Sequence, residues 1–134
     1  MKKELFKVIV AGTRTFNDYK YLEETLDKIL SKRLPNVEIV SGAARGADEL
    51  GEIYATKNDL SIRCFPADWD KYGKSAGPRR NKQMAEYADA CVVFWDGKSR
   101  GTKSMIQFAT ELGLPTRVVN YGTKEIHSFR KEVK

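Results

Sequence analysis

Short β-branched runs alternate with longer amphipathic stretches along this chain. Phe6-Lys7-Val8-Ile9-Val10-Ala11 is nearly all apolar and stops at Gly12, the pattern of a strand buried on both faces of a parallel sheet. Similar runs occupy 37–40, 62–65 (stopped by Pro66), 90–95 and 116–119. Between them the apolar period becomes helical. Leu22, Leu26, Ile29 and Leu30 mark a helix over about 18–32, with Pro35 beyond its end. Ala47, Leu50, Tyr54 and Ala55 mark another over about 47–58. A third helix is predicted from Pro78 to about Tyr87. A fourth runs from Gly101 to Leu112, where Met105, Phe108, Ala109 and Leu112 keep the period and Gly113 and Pro115 end it. Residues 67–77 and 96–100 read as polar loops. The tail from Tyr121 reads as a short helix or a frayed end.

Five strands alternating with four helices predict an α/β fold, a Rossmann-like doubly wound parallel five-stranded sheet. With strands numbered along the chain, right-handed crossovers favour the order 3-2-1-4-5. In such sheets ligands bind beyond the carboxyl ends of the strands, here near the switch between the first and the fourth.

A length of 134 residues fits one domain, 1–134, with a core over about 6–120 and a polar, basic tail over 121–134. No apolar run reaches the ~18 residues of a membrane span. Met1-Lys2-Lys3-Glu4 leads straight into the first strand without a secretory signal, so the expectation is a cytoplasmic protein with no membrane partner. Cys64 and Cys91 lie in apolar strand runs and read as core fillers in a reducing compartment. The net charge of +6 attracts phosphate-bearing partners, nucleotides or nucleic acid, although part of the excess sits in the tail from Lys124.

Chemistry-bearing residues gather after the strands' carboxyl ends. Gly12-Thr13-Arg14 is either a tight turn with a solvated charge, or a set of amides and a guanidinium that meet a phosphate or carboxylate. Ser41-Gly42-Ala43-Ala44-Arg45-Gly46, followed by Ala47 and Asp48, has the chemistry of a phosphate cradle at a helix start. Asp48 either caps that helix, orients Arg45 or accepts a ribose hydroxyl. Asp68 and Trp69 follow the third strand. Gly77-Pro78-Arg79-Arg80-Asn81 places two arginines in a predicted first turn, against the helix dipole. Either Asp68 and Asp70 neutralise them or a bound anion does. Asp96-Gly97-Lys98-Ser99-Arg100-Gly101-Thr102 opens the last helix, as an ordinary cap or as a second anion site. Trp69, Tyr72 and Trp95 are placed either to stack on a base or to close the core. His127 reads as surface. The opposite-edge connections, Leu34-Pro35-Asn36 and Gly113-Leu114-Pro115, carry no such groups. The carboxylates near the carboxyl edge, Asp18, Asp48, Asp68, Asp70, Asp89 and Asp96, include no obvious tuned acid or base. No catalytic residue, metal ligand set or cofactor is therefore assigned.

Five motifs in order resemble the SLOG superfamily over roughly residues 7–119. They are Val10-Ala11-Gly12-Thr13-Arg14, the Ser41 to Asp48 segment, Phe65-Pro66-Ala67-Asp68-Trp69, the Gly77 to Asn81 segment, and Trp95-Asp96-Gly97 with Ser99, Gly101 and Thr102. This Rossmann-like group includes the Lonely Guy phosphoribohydrolases and DNA-processing protein A, and the likeness is strongest to the small YspA-like, YpsA-related proteins of bacteria and phages. The resemblance implies a nucleotide or ADP-ribose-like ligand, cyclic or conjugated forms included, read or sequestered as a signal in phage defence or anti-defence. Arg14, Arg45, Arg79 and Arg80, with the Gly12, Gly42 and Gly101 turns, would hold phosphates. Trp69 would cover or stack on the base, and Asp48 or Asp96 would take ribose hydroxyls. The phosphoribohydrolase motif Gly-Gly-x-Gly-Thr-x-x-Glu, aligned on Gly101-Thr102, puts Met105 where the glutamate acts. An enzyme cleaving an N-glycosidic or phosphate bond would need Asp48, Asp68 or Asp96 in its stead. The likeness to the DNA-processing branch leaves single-stranded DNA as the other alternative. The resemblance also implies a homodimer or tetramer. Ile106 and Ile53, off the main stripes of their helices, point to the helices over 101–112 and 47–58 as its interface, with Arg100 reaching a neighbour's ligand.

Overall fold

The computed structural model describes residues 4–129. The strands are β1 (Phe6–Gly12), β2 (Val37–Ser41), β3 (Ser61–Cys64), β4 (Ala90–Trp95), β5 (Thr116–Asn120) and β6 (Glu125–Phe129). The helices are α1 (Tyr19–Ile29), α2 (Ala47–Lys57), α3 (Trp69–Tyr72), α4 (Ala76–Tyr87) and α5 (Arg100–Glu111). The sheet runs β3-β2-β1-β4-β5-β6. Its first five strands are parallel, with Val8 of β1 opposite Ile39 of β2 and Ala90 of β4. The expected parallel order is present, but the sheet has six strands and not five.

The sixth strand replaces the expected short helix or frayed end. The Asn120 side chain accepts from the Gly122 and Thr123 amides at 3.0 and 3.2 Å, and the Lys124 amide donates to the Asn120 carbonyl at 2.7 Å. Lys124 takes a φ of 66°. That turn folds β6 back antiparallel onto β5. All five β6 residues are exposed, so no buried alternation marks the strand in the sequence. Residues 130–134 of the predicted tail lie outside the described residues.

Alternate strand positions feed two cores, as the period of two requires. Val8, Val10, Val37, Ile39, Val92 and Phe94 pack with Leu22, Leu26 and Tyr54 from α1 and α2. Ile9, Val40, Cys91 and Val93 pack on the other face with Met84 and Ala85 of α4 and Met105 and Ala109 of α5. Each fully buried aliphatic side chain contributes about 1.5–3 kcal/mol relative to exposure. The layers thus hold the strands' carboxyl ends in one rigid rim.

Four expectations need correction. Residues 67–77 are not all loop: they contain α3 and a 3₁₀ turn at Gly73–Ser75. Asp68 caps α3 by accepting from the Lys71 amide at 3.1 Å, and four residues are too few to show a helical period. Helix α4 begins at Ala76, two residues before Pro78, so Arg79 and Arg80 sit further from the dipole's positive end than the sequence suggests. Cys91 is buried but Cys64 is exposed, because β3 is an edge strand with every residue exposed. Ile106 packs against the second core, while Leu112 and Ile53 of the same proposed interfaces stay 49% and 38% exposed. No helix among the described residues is long and apolar enough to cross a membrane.

Candidate functional site

A cleft of about 450 Å³ opens over the carboxyl ends of β1 and β4, at the predicted switch in strand order. Thr13 and Arg14 form one wall, Asp48 and Arg80 another, and Ser99, Gly101 and Thr102 a third. Met84 and Met105 supply its apolar lining. Two recesses adjoin it. One, of about 290 Å³, is bounded by Gly42, Ala43, Arg45 and Trp69. The other, of about 250 Å³, lies among Trp69, Asn81, Arg100 and Ser104. Arg14 and Arg80 line all three spaces.

The loops meet closely because Gly46 has no side chain. A Cβ there would stand 2.3 Å from the Thr13 carbonyl oxygen and 2.5 Å from that of Arg14. Thr13 then ties three segments together. Its amide donates to the Phe94 carbonyl at 2.9 Å, its carbonyl accepts from Ala47 at 3.3 Å, and its hydroxyl accepts from the Asp96 amide at 3.2 Å. Ser41 lies beneath the rim rather than in the cleft. It is fully buried, donates to Glu52 at 2.6 Å and accepts from the Ala43 amide at 3.1 Å, holding Ala43 at a φ of 59°.

Asp48 is buried and accepts from the Ala44 amide at 3.4 Å. Burial pushes its carboxyl up to about 6, against the opposing pull of the Arg80 guanidinium. Arg80 donates to the Gly42 carbonyl and, at 2.9 Å, to the Asn81 side chain. Burial lowers its pKa; Asp48 opposes that shift and the nearby Arg14 adds to it. The partner of Asp48 is therefore Arg80 and not Arg45. Arg80 acts on the carboxylate through its charge, from α4 and beyond ion-pair distance, a tertiary approach invisible in sequence spacing, whereas Arg45 is exposed beside Trp69. Among the described residues Arg14 has no hydrogen-bond or ion-pair partner, and the only ion pair within 4.0 Å is His127–Glu125 at 3.4 Å.

The buried carboxyl makes stability depend on pH. Between about pH 4 and pH 6 the folded chain keeps a proton on Asp48 that the unfolded chain has released. Because the folded-state value is raised, the unfolding free energy falls as pH rises through that window and levels off above it. Urea titrations of wild type and Asp48→Asn should diverge across it, wild type gaining relative stability toward low pH. Parallel curves would exclude a buried, proton-holding Asp48.

At the start of α5, Asp96 accepts from the Lys98 and Ser99 amides, each at 2.8 Å, and those bonds hold its carboxyl below the usual range. Ser99 occupies the N-cap, but its hydroxyl accepts from the Thr102 hydroxyl at 3.5 Å and not from a helix amide, and the Trp95 indole donates to its carbonyl at 3.0 Å. The first-turn amides of α5 are thus left for solvent or an anion. Asn81, buried, donates to the Gly101 carbonyl and the Ser104 hydroxyl, both at 3.4 Å.

Several expected residues are not brought into the clefts. Arg79 is exposed, bonds Ser75 at 3.2 Å and stacks on Tyr72 at 4.4 Å. Asp68 caps α3, and neither it nor Asp70 pairs with Arg79 or Arg80. Gly97 supplies a turn at a φ of 85° outside the lining. Trp69, 50% exposed, borders both recesses, whereas Trp95 and Tyr72 do not. Sequence reasoning overlooks Thr15, Met84 and Ser104 as lining and Glu52 as the support of Ser41. Met84 belongs both to the second core and to the cleft lining.

A family model described as the YspA, cpYpsA-related SLOG family matches residues 6–72. The Gene 61 protein of Mycobacterium phage D29 is 32% identical over 124 residues, covering 88% of this chain and 98% of that protein. Among solved structures, DNA processing protein A of Streptococcus pneumoniae superposes with a TM-score of 0.68 at 19% identity, over 87% of this chain. This chain spans half the length of that protein. The structure of TM1055, a structural-genomics target, gives 0.61 at 19% identity, over 84% of this chain and 72% of the other. DNA processing protein A of Helicobacter pylori, described for its single-stranded DNA binding mode, gives 0.60 at 20% identity, over 87% and 66%. At such identities these likenesses establish the fold.

Proposed function

The chain belongs to the YspA, cpYpsA-related SLOG family, and we propose that it binds a phosphorylated nucleoside, with an ADP-ribose-like, cyclic or conjugated nucleotide favoured. The observation that carries this reading is the convergence of Arg14 and Arg80 where three recesses meet. Two like charges at one junction, with Arg14 unpartnered among the described residues, favour an anion between them. The open amides of α5 add to that preference. A central phosphate group with arms on either side suits the arrangement. One arm would enter the cleft by Thr102 and Asp48, and the other would lie beside Arg45 and Trp69. The cleft volume is in the usual range for small-molecule sites. The phage origin of one relative supports a role as sensor or sequestering protein for a nucleotide signal.

Calorimetry with AMP, ADP, GDP, NAD and ADP-ribose tests the reading. Saturable heat with at least one of them is expected. Silence across the panel at millimolar ligand would sink it. A second reading rests on Asp48, whose burial raises its pKa to about 6, so that the carboxyl is half protonated near pH 6 and a minor fraction can act as a general acid at neutral pH. Chromatography of the calorimeter contents separates the two, since a bound but uncleaved ligand is recovered intact. An oligothymidylate in the same panel covers single-stranded DNA, which the basic charge and exposed Trp69 support. Such binding should weaken steeply with salt. Pairing of copies through α5 or α2 belongs to the same proposal, supported by the exposed Leu112 and Ile53.

A further inference from the structure

We propose that a groove at the opposite end of the sheet, by the amino ends of β1, β4 and β5, is a second binding site, for a small amphipathic anion. The ligand class is an apolar or aromatic body bearing a phosphate or a carboxylate. The groove holds about 400 Å³ between the end of α1 and the sheet face that α1 covers. Its walls are apolar, with Val8 and Val92 at the sheet and Ile29 at the helix. Its charged lining is of one sign: Lys28, Lys32, Arg33 and Arg117, with no aspartate or glutamate.

Basic residues at a helix C-terminus complement the dipole, which accounts for Lys28. It does not account for Arg117, which comes from the sheet. Arg117 shares a strand face with Val119, a member of the core that α1 and α2 cover, while its neighbour Val118 belongs to the other core. It therefore occupies an inward position, is only partly exposed, and has no hydrogen-bond or ion-pair partner among the described residues. A half-buried cation without a counter-charge is costly, and a bound anion removes that cost. Arg33 lies 4.2 Å over the Phe6 ring at the same groove, pairing an aromatic surface with a cation. An apolar floor under a cationic rim selects a ligand with both characters.

The probe is anilinonaphthalene sulfonate, an aromatic anion whose fluorescence rises on binding. Wild type and Lys82→Glu, which reverses an exposed charge outside the groove and the carboxyl-edge recesses, should bind it alike. The Lys32→Glu, Arg33→Glu double variant should weaken binding at least about tenfold, because each reversal turns an attraction into a repulsion. Both of those side chains are exposed, and circular dichroism verifies that the variant folds. Arg117→Gln, milder and uncharged, should weaken it as well. Competition then separates the sources: displacement by AMP assigns a nucleotide phosphate, and displacement by decanoate an acyl carboxylate. Equal probe affinity in wild type and the charge variants overturns the proposal. So does an equal loss of binding in Lys82→Glu, or failure of both competitors to displace the probe.

Discussion

Gly46→Ala is expected to cost about 4 kcal/mol or more of folding free energy, whereas Gly73→Ala costs only about 1–2 kcal/mol. The two glycines make a matched pair. Gly46 has φ and ψ of 77° and −127°, and Gly73 has 56° and −132°. Both backbones are in a region that L-residues rarely adopt, so the conformational penalty is nearly shared. Their surroundings differ. A methyl group at Gly73 meets nothing within 4 Å, while one at Gly46 falls 2.3 Å from the Thr13 carbonyl oxygen. That obstacle is backbone and cannot swing aside as a side chain would. Relief requires the β1–α1 and β2–α2 loops to part, which breaks the Ala47 to Thr13 bond and loosens Arg14. Urea unfolding of the two variants at one pH measures the difference. Equal losses would mean that the close approach of the loops contributes nothing beyond the shared strain.

The parallel sheet was readable from the sequence because buried strands must be β-branched and continuous, and helices must keep one apolar stripe. Val8 to Ala11 and Val92 to Phe94 carry that signal wherever the strand is covered on both faces. The signal fades where burial fades. Strand β6 is wholly exposed and announces itself only through the turn at Asn120. The edge position of Cys64 is likewise set by what does not pack on β3.

At the carboxyl rim, residue types were legible but partnerships were not. Glycines and arginines after strand ends mark a cradle in any fold with this topology, and Arg14, Arg45 and Arg80 do border connected recesses. Which arginine meets Asp48 depends on how α4 docks against the loop after β2, a relation between distant segments. Arg79 illustrates the converse: one residue from Arg80 on a helix is a turn of about 100°, enough to take it from the cleft to Tyr72. The amino-end groove escaped because its cations come from the end of α1, the turn after it and β5, and converge only in three dimensions.

Arg14→Ala is expected to weaken the binding of a phosphorylated ligand more than about a hundredfold, roughly 3 kcal/mol, with stability changed by no more than about 0.5 kcal/mol. The separation follows from how the two clustered arginines are employed. Arg80 is committed to the fold through the Gly42 carbonyl and the Asn81 side chain, and it faces the buried Asp48. Removing it leaves Asp48 without its counter-charge, so Arg80→Ala should lose stability and binding together. Arg14 is exposed and makes no such bond among the described residues, so little is lost from the empty protein when it goes. Its guanidinium is available to a ligand, where paired donors on a phosphate are among the stronger polar contacts. Arg14→Lys keeps the charge but not the planar fork, and should fall between wild type and alanine. Calorimetry and urea titration on the same three variants resolve these roles. If Arg14→Ala binds as tightly as wild type while Arg80→Ala does not, the phosphate lies deeper, against α4, and the junction of the three recesses is not its seat.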